Sequence, residues 1–217
     1  MIGIFGGTFD PVHLGHIQPA LDVKQALSLD ELRFIPCSIP AHRDIPIATV
    51  EQRVDMLQAA IDGLDGCIVD ERELNRQGIS YMVDTLKSLH QDFNDQRLCL
   101  IVGMDAFMGL NKWHQWQDIF KLANCVVTHR PGFDLDLNLL DSDLVDLVSL
   151  RQVDSKIEFL DNGRKDKTMG KLLFMPVTQL DISATDIRQR IKKQQPIENM
   201  VSAKVNKFIQ QQQLYIG

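Results

Sequence analysis

Residues 2–16, IGIFGGTFDPVHLGH, decide the fold of this chain. The stretch begins as a short apolar strand, turns at Gly6 and Gly7, and runs through Pro11 into a segment with helical periodicity. Glycine lacks a Cβ atom, so the backbone can turn sharply here and a ligand can approach it closely. Proline disfavours the helical conformation in the residue before it, which places the first helical turn near His13–His16. A strand, a glycine turn and a helix in this order predict the first unit of a parallel α/β sheet.

The rest of the chain repeats this alternation of strand and helix. Apolar runs predict strands at 2–5, 31–36, 66–70, 97–103, 125–129 and 172–175. Helical periodicity predicts helices at 14–27, 50–61, 81–93 and 113–122, and a last helix from near Asn199. We therefore predict an α/β fold with a single domain over residues 1–217. It should be a Rossmann-like doubly wound parallel sheet with C-terminal helices, in which ligands bind beyond the carboxyl ends of the strands.

The composition argues against several classes of partner. The 217 residues carry 29 acidic and 23 basic side chains, a formal net charge of −6, which argues against nucleic acid or an anionic membrane as the partner. No apolar run approaches the roughly 20 residues of a membrane span, and the N-terminal strand leaves no room for a signal peptide. We therefore expect a cytoplasmic protein. The cysteines lie apart in strand-like stretches and are expected to be buried thiols: Cys37, Cys67, Cys99 and Cys125.

Residues 132–162 form an acidic segment with eight acidic and two basic side chains. Its periodicity is poor, so we expect an irregular insertion rather than a second domain. Near the end of the chain, the run Gln210–Gln213 is interpreted as the solvated last turn of the C-terminal helix.

Two histidines, His13 and His16, lie three residues apart and therefore on one face of the first helical turn. A helix N-terminus offers free N–H groups and a positive dipole end, which together attract anions. Gly15 leaves space beside the histidines that suits a flat group such as a nucleobase. The alternative is that the two histidines are half of a zinc site, but no second Cys/His pair with ligand spacing follows.

A second motif lies near the other end of the chain, at residues 182–188, ISATDIR. Ser183 and Asp186 are spaced almost as in a capping box, so a helix should begin at Ser183 with Arg188 in its early turns. Residues 183–193 carry four basic side chains and one acidic side chain. Taken alone, the pattern is equally that of a capped surface helix with a solvated basic face.

Together, the two motifs resemble the signature of the nucleotidyltransferase superfamily. Residues 7–16 fill every fixed position of G-x-F-D-P-x-H-x-G-H, and residues 182–188 fill those of I-S-x-T-x-I-R. The resemblance implies a nucleotidyltransferase enzyme with His13, His16 and Arg188 as catalytic residues. It implies that ATP is bound by Gly6, Gly7, Thr8, Phe9, His13, Gly15, His16, Ile182, Ser183, Thr185 and Arg188.

Between these motifs, the chain resembles the bacterial nicotinate-nucleotide adenylyltransferases over nearly its full length. Residues 40–43, PAHR, are similar to that family's P-P-H-K loop, with Ala41 and Arg43 as departures. Residues 80–86, SYMVDTL, are similar to S-Y-T-x-x-T-L, with Met82 in place of a threonine, and residues 103–105 match G-x-D. The resemblance implies that the acceptor is bound by His42, Arg43, Thr85, Gly103, Asp105, Trp113, Trp116 and Arg130.

Some of these residues have simpler interpretations. Trp113 and Trp116 can be packing residues, so the ring that stacks on the acceptor's pyridine is left open. Asp105 can be a helix cap rather than a ribose ligand, and Arg130 can be a surface cation. Their order along the chain favours the functional interpretation.

The resemblance implies that nicotinate mononucleotide attacks the α-phosphorus of ATP, giving deamido-NAD and pyrophosphate. Mg²⁺ would be the cofactor, bound mainly through the ATP phosphates, with no dedicated metal ligands in the protein. Nicotinamide mononucleotide and pantetheine phosphate are alternative acceptors, and cytidylyltransferases share the first motif. A non-catalytic nucleotide sensor is the alternative from another class, and a tRNA synthetase catalytic domain fits the short acidic chain poorly. The sequence leaves open whether the chain forms a homo-oligomer.

Overall fold

The computed structural model describes residues 1–40, 45–133, 135–161 and 170–216. The strands are β1 (Ile2–Gly7), β2 (Glu31–Pro36), β3 (Ile39–Pro40), β4 (Cys67–Val69), β5 (Ile79–Ser80), β6 (Leu98–Gly103), β7 (Asn124–His129) and β8 (Leu172–Pro176). The α-helices are α1 (Leu14–Ala26), α2 (Val50–Ile61), α3 (Met82–Asp92), α4 (Met104–Met108), α5 (Trp116–Leu122), α6 (Ser142–Arg151), α7 (Lys156–Leu160), α8 (Ala184–Lys192) and α9 (Ala203–Gln211). Two short 3₁₀ helices lie at Leu110–Lys112 and Leu137–Leu139.

Six strands form one parallel sheet in the order β4-β2-β1-β6-β7-β8. This is the strand order of dinucleotide-binding sheets, in which the order reverses between the first and fourth long strands. Here that reversal lies between β1 and β6. Their pairing ends at Ile4 opposite Leu100, although β1 continues to Gly7 and β6 to Gly103. The two strands therefore part at their carboxyl ends and open a crevice there, and the predicted doubly wound sheet is confirmed.

The sheet has a hydrophobic core on each face, because successive strand residues point in opposite directions. In β6, for example, Cys99 and Ile101 join one core while Leu98, Leu100 and Val102 join the other. Helices α1, α2, α8 and α9 cover the first core, and α3, α4, α5 and α6 cover the second. No helix within the described ranges combines the length and apolar character that crossing a membrane requires.

The aromatic helix predicted at 113–122 begins three residues later than expected. A 3₁₀ turn ends at Lys112, and Gln115 has a φ of 48°, so the regular helix starts at Trp116. The side chain of Gln115 accepts a hydrogen bond from Lys87 Nζ at 3.0 Å. Trp113 and Trp116 thus lie on either side of a turn instead of on one helix.

The acidic segment 132–162, for which an irregular conformation is predicted, contains helices α6 and α7. Asp141 caps the start of α6, where its side chain accepts from the Asp143 N–H. Leu144, Leu147 and Val148 have the spacing of one helix face and are buried. The acidic residues between them obscure an amphipathic helix that packs on the sheet.

Asp10 joins the loop after β1 to two remote parts of the chain. Its buried carboxylate accepts from the N–H groups of Ile47 at 2.8 Å and Ala48 at 3.1 Å. It also accepts from the Tyr215 hydroxyl at 2.7 Å. Burial raises the pKa of Tyr215 well above its usual range, so this hydroxyl stays a donor. A buried, charge-assisted hydrogen bond therefore fixes the segment after α9 to the loop after β1, which we call the site loop.

Replacing Tyr215 by phenylalanine removes this hydroxyl and leaves the ring in place. We expect Tyr215→Phe to lower the free energy of unfolding by about 1–2 kcal/mol, because a buried hydrogen bond to a charged group is lost. Urea unfolding followed by circular dichroism measures the change. Tyr81→Phe is the matched control, since the Tyr81 hydroxyl makes no hydrogen bond to another described residue, and it should change stability by less than about 0.5 kcal/mol. Equal effects of the two substitutions would contradict the prediction.

Candidate active site

His13 and His16 form the start of α1 at the edge of the crevice. His13 is the residue that caps the helix, and its backbone N–H donates to His16 Nδ1 at 3.3 Å. The two imidazole rings stack with centroids 3.7 Å apart and planes 26° apart. Because Nδ1 of His16 accepts a hydrogen bond, the neutral ring carries its proton on Nε2. The predicted arrangement of both imidazoles on the first helical turn is confirmed.

His13 is buried, with 7% of its surface exposed. Burial lowers its pKa to about 4, so the ring is neutral at physiological pH. Its Nδ1 has no hydrogen-bond partner among the described residues. A Cβ added at Gly15 would lie 3.0 Å from this nitrogen and 3.4 Å from the Ile182 carbonyl oxygen. Gly15 thus allows the His13 ring and the loop before α8 to pack closely together.

Phe9 supports the two histidines from within the core. Its φ of 53° turns the chain, and its side chain is 1% exposed. The ring packs edge-on against His16, with centroids 5.3 Å apart. A Cβ on Gly7 would lie 2.9 Å from the Phe9 ring, so glycine is required for this packing.

Arg188 connects the two motifs that are predicted to bind ATP and its phosphates, residues 7–16 and 182–188, which we call the phosphate motifs. Its Nη1 donates to the Asp10 carbonyl oxygen at 2.6 Å, and its Nη2 donates to Thr185 Oγ1 at 3.2 Å. Ser183 caps α8 as predicted, because its hydroxyl accepts from the Asp186 N–H at 3.1 Å. The Asp186 carboxylate pairs with Arg190 at 2.9 Å. Residues near positions 10 and 185 of the chain are therefore neighbours in one site.

Arg53 is a site residue that the sequence predictions did not include. It lies in the first turn of α2, is 1% exposed, and donates from Nη1 to the Thr8 carbonyl oxygen at 2.8 Å. Arg53, Leu57 and Ile61 have the spacing of one helix face and are all buried. In the sequence, the presence of a charged residue on an otherwise apolar helix face was the signal that could have identified Arg53. Through this hydrogen bond, Arg53 fixes the backbone of the glycine turn.

Thr85 is the predicted acceptor residue that lies in the first turn of α3. Thr85 is fully buried and donates its hydroxyl to Glu73 Oε1 at 2.5 Å. The ring of Tyr81, which precedes α3, lies 4.4 Å from the exposed His114 ring. This contact joins α3 to the aromatic segment before α5. The methyl carbon of Met82 lies 2.7 Å from the position that a Cβ on Gly6 would take, so α3 begins beside the end of β1.

The remaining predicted acceptor residues are less closely grouped. Trp113 and Trp116 are half-buried and pack against the second core. Gly103 caps α4 through its backbone, and Asp105 in the first turn is exposed. Arg130 lies 3.6 Å from Asp181, beside the loop that leads into α8. The predictions for His42 and Arg43 fall outside the described residues.

The described residues provide no preformed metal site. Within the ranges that the structure covers, no three His, Cys, Asp or Glu side chains lie together in a way that could hold a metal ion. Asp10, the carboxylate of the site loop, already accepts three hydrogen bonds.

Comparison with known proteins places the chain in a family. The cytidylyltransferase-like family model matches residues 4–190. A Methylococcus capsulatus protein named "Probable nicotinate-nucleotide adenylyltransferase" is 43% identical over 216 residues, covering 99% of each chain. A Hydrogenovibrio crunogenus protein of the same name is 40% identical over 215 residues, covering 99% of this chain and 97% of its own.

Solved structures show the same fold. Nicotinic acid mononucleotide adenylyltransferase of Plasmodium falciparum, complexed with NaAD, superposes with a TM-score of 0.72 at 15% identity, covering 99% of this chain and 96% of that chain. The same enzyme complexed with APC gives a TM-score of 0.70. The strand order, both phosphate motifs and the full-length relatives agree, and the chain belongs to the cytidylyltransferase-like family and, within it, to the nicotinate-nucleotide adenylyltransferases.

Proposed function

We propose that this protein transfers the adenylyl group of ATP to nicotinate mononucleotide, which forms deamido-NAD and pyrophosphate. The full-length relatives carry the name of this activity. The observation that carries the proposal is the hydrogen bond from Arg188 to the Asp10 carbonyl, 2.6 Å long. It brings the histidine turn and the N-terminus of α8 to one crevice, where a triphosphate can contact both.

An oxygen of the acceptor's 5′-phosphate attacks the α-phosphorus of ATP. A new P–O bond forms, the bond to the β-phosphate bridging oxygen breaks, and pyrophosphate leaves with that electron pair. The attacking phosphate is already ionised at neutral pH, so no general base is required. Catalysis then depends on alignment and on donors that stabilise the charge on the transferred group.

His16 and His13 provide such donors at the start of α1. His16 can donate from Nε2, because its Nδ1 is engaged by the His13 backbone. His13 is neutral, since burial lowers its pKa to about 4, and so it places no like charge against the stacked His16 ring. His16 can therefore donate from Nε2 to a phosphate oxygen while the His13 backbone N–H holds its Nδ1. We assign His16 to the α-phosphate and His13 to the neighbouring phosphate oxygens.

Arg188 and the start of α8 are assigned to the leaving pyrophosphate. The guanidinium group is held by the Asp10 carbonyl and Thr185, and its side chain is 24% exposed. An arginine held in this way presents its remaining N–H groups in a fixed geometry. The free N–H groups at the start of α8 add donors for the same phosphates.

No covalent intermediate is needed, and the cysteine beside the site loop does not favour one. Cys37 lies within 3.7 Å of Thr8 Oγ1, and burial raises the pKa of its thiol. A protonated thiol is a weak nucleophile. Direct transfer between the two nucleotides is the mechanism that these side chains support.

Mg²⁺ would supply charge neutralisation on the phosphates. We assign no protein side chain as its ligand, because the Asp10 carboxylate is already engaged by the Ile47, Ala48 and Tyr215 donors. Phosphate oxygens and water suffice for this ion. We further propose that the enzyme works in the cytoplasm, where its four free cysteines would remain reduced.

The substrate assignment is tested with purified protein, Mg-ATP and a series of acceptors. We expect pyrophosphate release and a deamido-NAD product with nicotinate mononucleotide. Nicotinamide mononucleotide and pantetheine phosphate are the comparison acceptors, and kcat/KM should be highest for nicotinate mononucleotide. Preferred use of another acceptor would change the substrate assignment, and binding without turnover would support a nucleotide sensor.

The role of His16 is tested by His16→Ala. We expect kcat to fall by a factor of roughly 10² or more, the usual effect of losing one transition-state donor, with a smaller change in the KM for ATP. Steady-state kinetics with both substrates varied gives the two constants. His90→Ala is the control, since His90 lies in the last turn of α3, about 12 Å along the helix from Met82. A raised KM with normal kcat in His16→Ala would contradict the assigned role.

The buried state of His13 predicts a dependence of stability on pH. An unfolded chain protonates this residue below about pH 6.5, whereas the folded protein does so only near pH 4. The free energy of unfolding therefore falls as the pH falls through this window. Between about pH 5.5 and 4.5, the wild type should lose about 1 kcal/mol per pH unit more than His13→Gln. Urea unfolding across this range measures both slopes, and parallel slopes would show that His13 is not buried in its neutral form.

A further inference from the structure

We propose that Glu73 is a positioning residue for the acceptor nucleotide, which acts by holding the hydroxyls of Thr85 and Ser80 and thereby the N-terminus of α3. This inference rests on the proposed function and on the predicted acceptor role of Thr85, which lies in the first turn of α3. Neither the sequence predictions nor the two phosphate motifs include Glu73.

Glu73 lies in the turn between β4 and β5 and is 4% exposed. Its Oε1 accepts the Thr85 hydroxyl at 2.5 Å, and the Ser80 side chain lies close enough to lower the pKa of the Glu73 carboxyl. Arg76 Nη2 donates to Thr85 Oγ1 at 3.4 Å and to the Tyr81 carbonyl at 3.5 Å. The contacts of Glu73 and Arg76 thus meet at residues 80–85.

Ser80 extends the network to the other side of the crevice. Its Oγ accepts from the Ser38 N–H at 3.0 Å. Ser38 follows β2 and immediately precedes β3, which pairs in parallel with β5. Glu73 therefore connects α3 to the segment that leads from β2 towards the P-A-H-R loop. Pro40, the first residue of that loop, lies opposite Ser80.

A buried carboxylate is costly, and this cost indicates a specific role. Burial raises the pKa of Glu73, and Asp70 raises it further, while the two hydroxyls and Arg76 lower it. An apolar side chain would avoid the desolvation cost but could not accept hydrogen bonds. A carboxylate has two acceptor oxygens, which suits two hydroxyl donors on different elements.

The hydrogen bonds of Thr85 explain how Glu73 can act at a distance. Thr85 is fully buried, and its hydroxyl donates to Glu73 while accepting from Arg76. The hydroxyl is therefore engaged inside the protein. The first N–H groups of α3 have no partner within the helix, and Tyr81 supplies no side-chain cap. By fixing Thr85, Glu73 fixes the direction in which these N–H groups face the acceptor.

Substitution of Glu73 tests the proposal, because it should change the KM for nicotinate mononucleotide and leave the KM for ATP nearly unchanged. Glu73→Ala should raise the KM for nicotinate mononucleotide about tenfold or more and change the KM for ATP by less than about threefold. Glu73→Gln keeps one carbonyl oxygen that can accept the Thr85 hydroxyl, so its acceptor KM should stay within about threefold of wild type. If Glu73→Ala does not fold, Glu73→Asp replaces it, because the loss of one methylene draws the carboxylate back from the Thr85 hydroxyl, and the same separation of the two KM values is expected.

Asp70→Asn is the matched control for loss of a buried carboxylate. Asp70 is 8% exposed and pairs with Arg33 and Arg72, each at 3.0 Å. Thermal unfolding should show that both Asp70→Asn and Glu73→Ala lose stability, whereas only Glu73→Ala should raise the acceptor KM. The proposal is overturned if the acceptor KM of folded Glu73→Ala stays within twofold of wild type, or if both Michaelis constants rise together.

A double-mutant cycle identifies the route of the effect. Thr85→Val removes the hydroxyl and keeps the shape of the side chain. If Glu73 acts through Thr85, adding Glu73→Ala to Thr85→Val should raise the acceptor KM much less than it does in the wild type. Fully additive effects would overturn the proposed route. Should the wild type prefer another acceptor, the proposed function fails, and the KM for that acceptor in the same variants still tests Glu73.

Discussion

The buried carboxylate of Asp10 is the constraint on which the site depends. It accepts from Ile47, Ala48 and Tyr215, while the backbone carbonyl of the same residue accepts from Arg188. One residue therefore fixes the loop after β1, the segment before α2, the end of the chain and the start of α8. A buried charge of this kind is stable only when its acceptor sites are filled.

The two halves of the crevice are built by different means. On the ATP side, glycines at positions 7 and 15 allow close packing of backbone, Phe9 and His13. On the acceptor side, a network of side-chain hydrogen bonds around Glu73 joins three short segments. The first half is set by backbone geometry within one contiguous motif. The second half depends on contacts between separate parts of the chain, so single substitutions there act through their neighbours.

Local signals made much of the fold predictable. The ends of β2 and α2 agree with the prediction, and Thr49 and Gln52 form a reciprocal capping box at the start of α2. Local signals did not predict the parts of the fold that depend on contacts between residues distant in the sequence. The start of α5 depends on the left-handed Gln115, whose side chain contacts Lys87. The bond between Tyr215 and Asp10 joins residues 205 positions apart, and β3 and β5, each two residues long, exist only as a pair. Glu73 was missed for this reason.

The acidic helix α6 and the histidines of α1 lie on opposite faces of the sheet, which the net charge of the chain does not reveal. Its buried residues belong to the core on one face of the sheet, whereas those of α1 belong to the core on the other face. The carboxylates of α6 and the histidines of α1 are thus separated by the sheet and its packed side chains, and at cellular ionic strength the field of exposed charges decays within about 8 Å. The acidic side chains of α6 therefore need not repel a polyphosphate from the crevice.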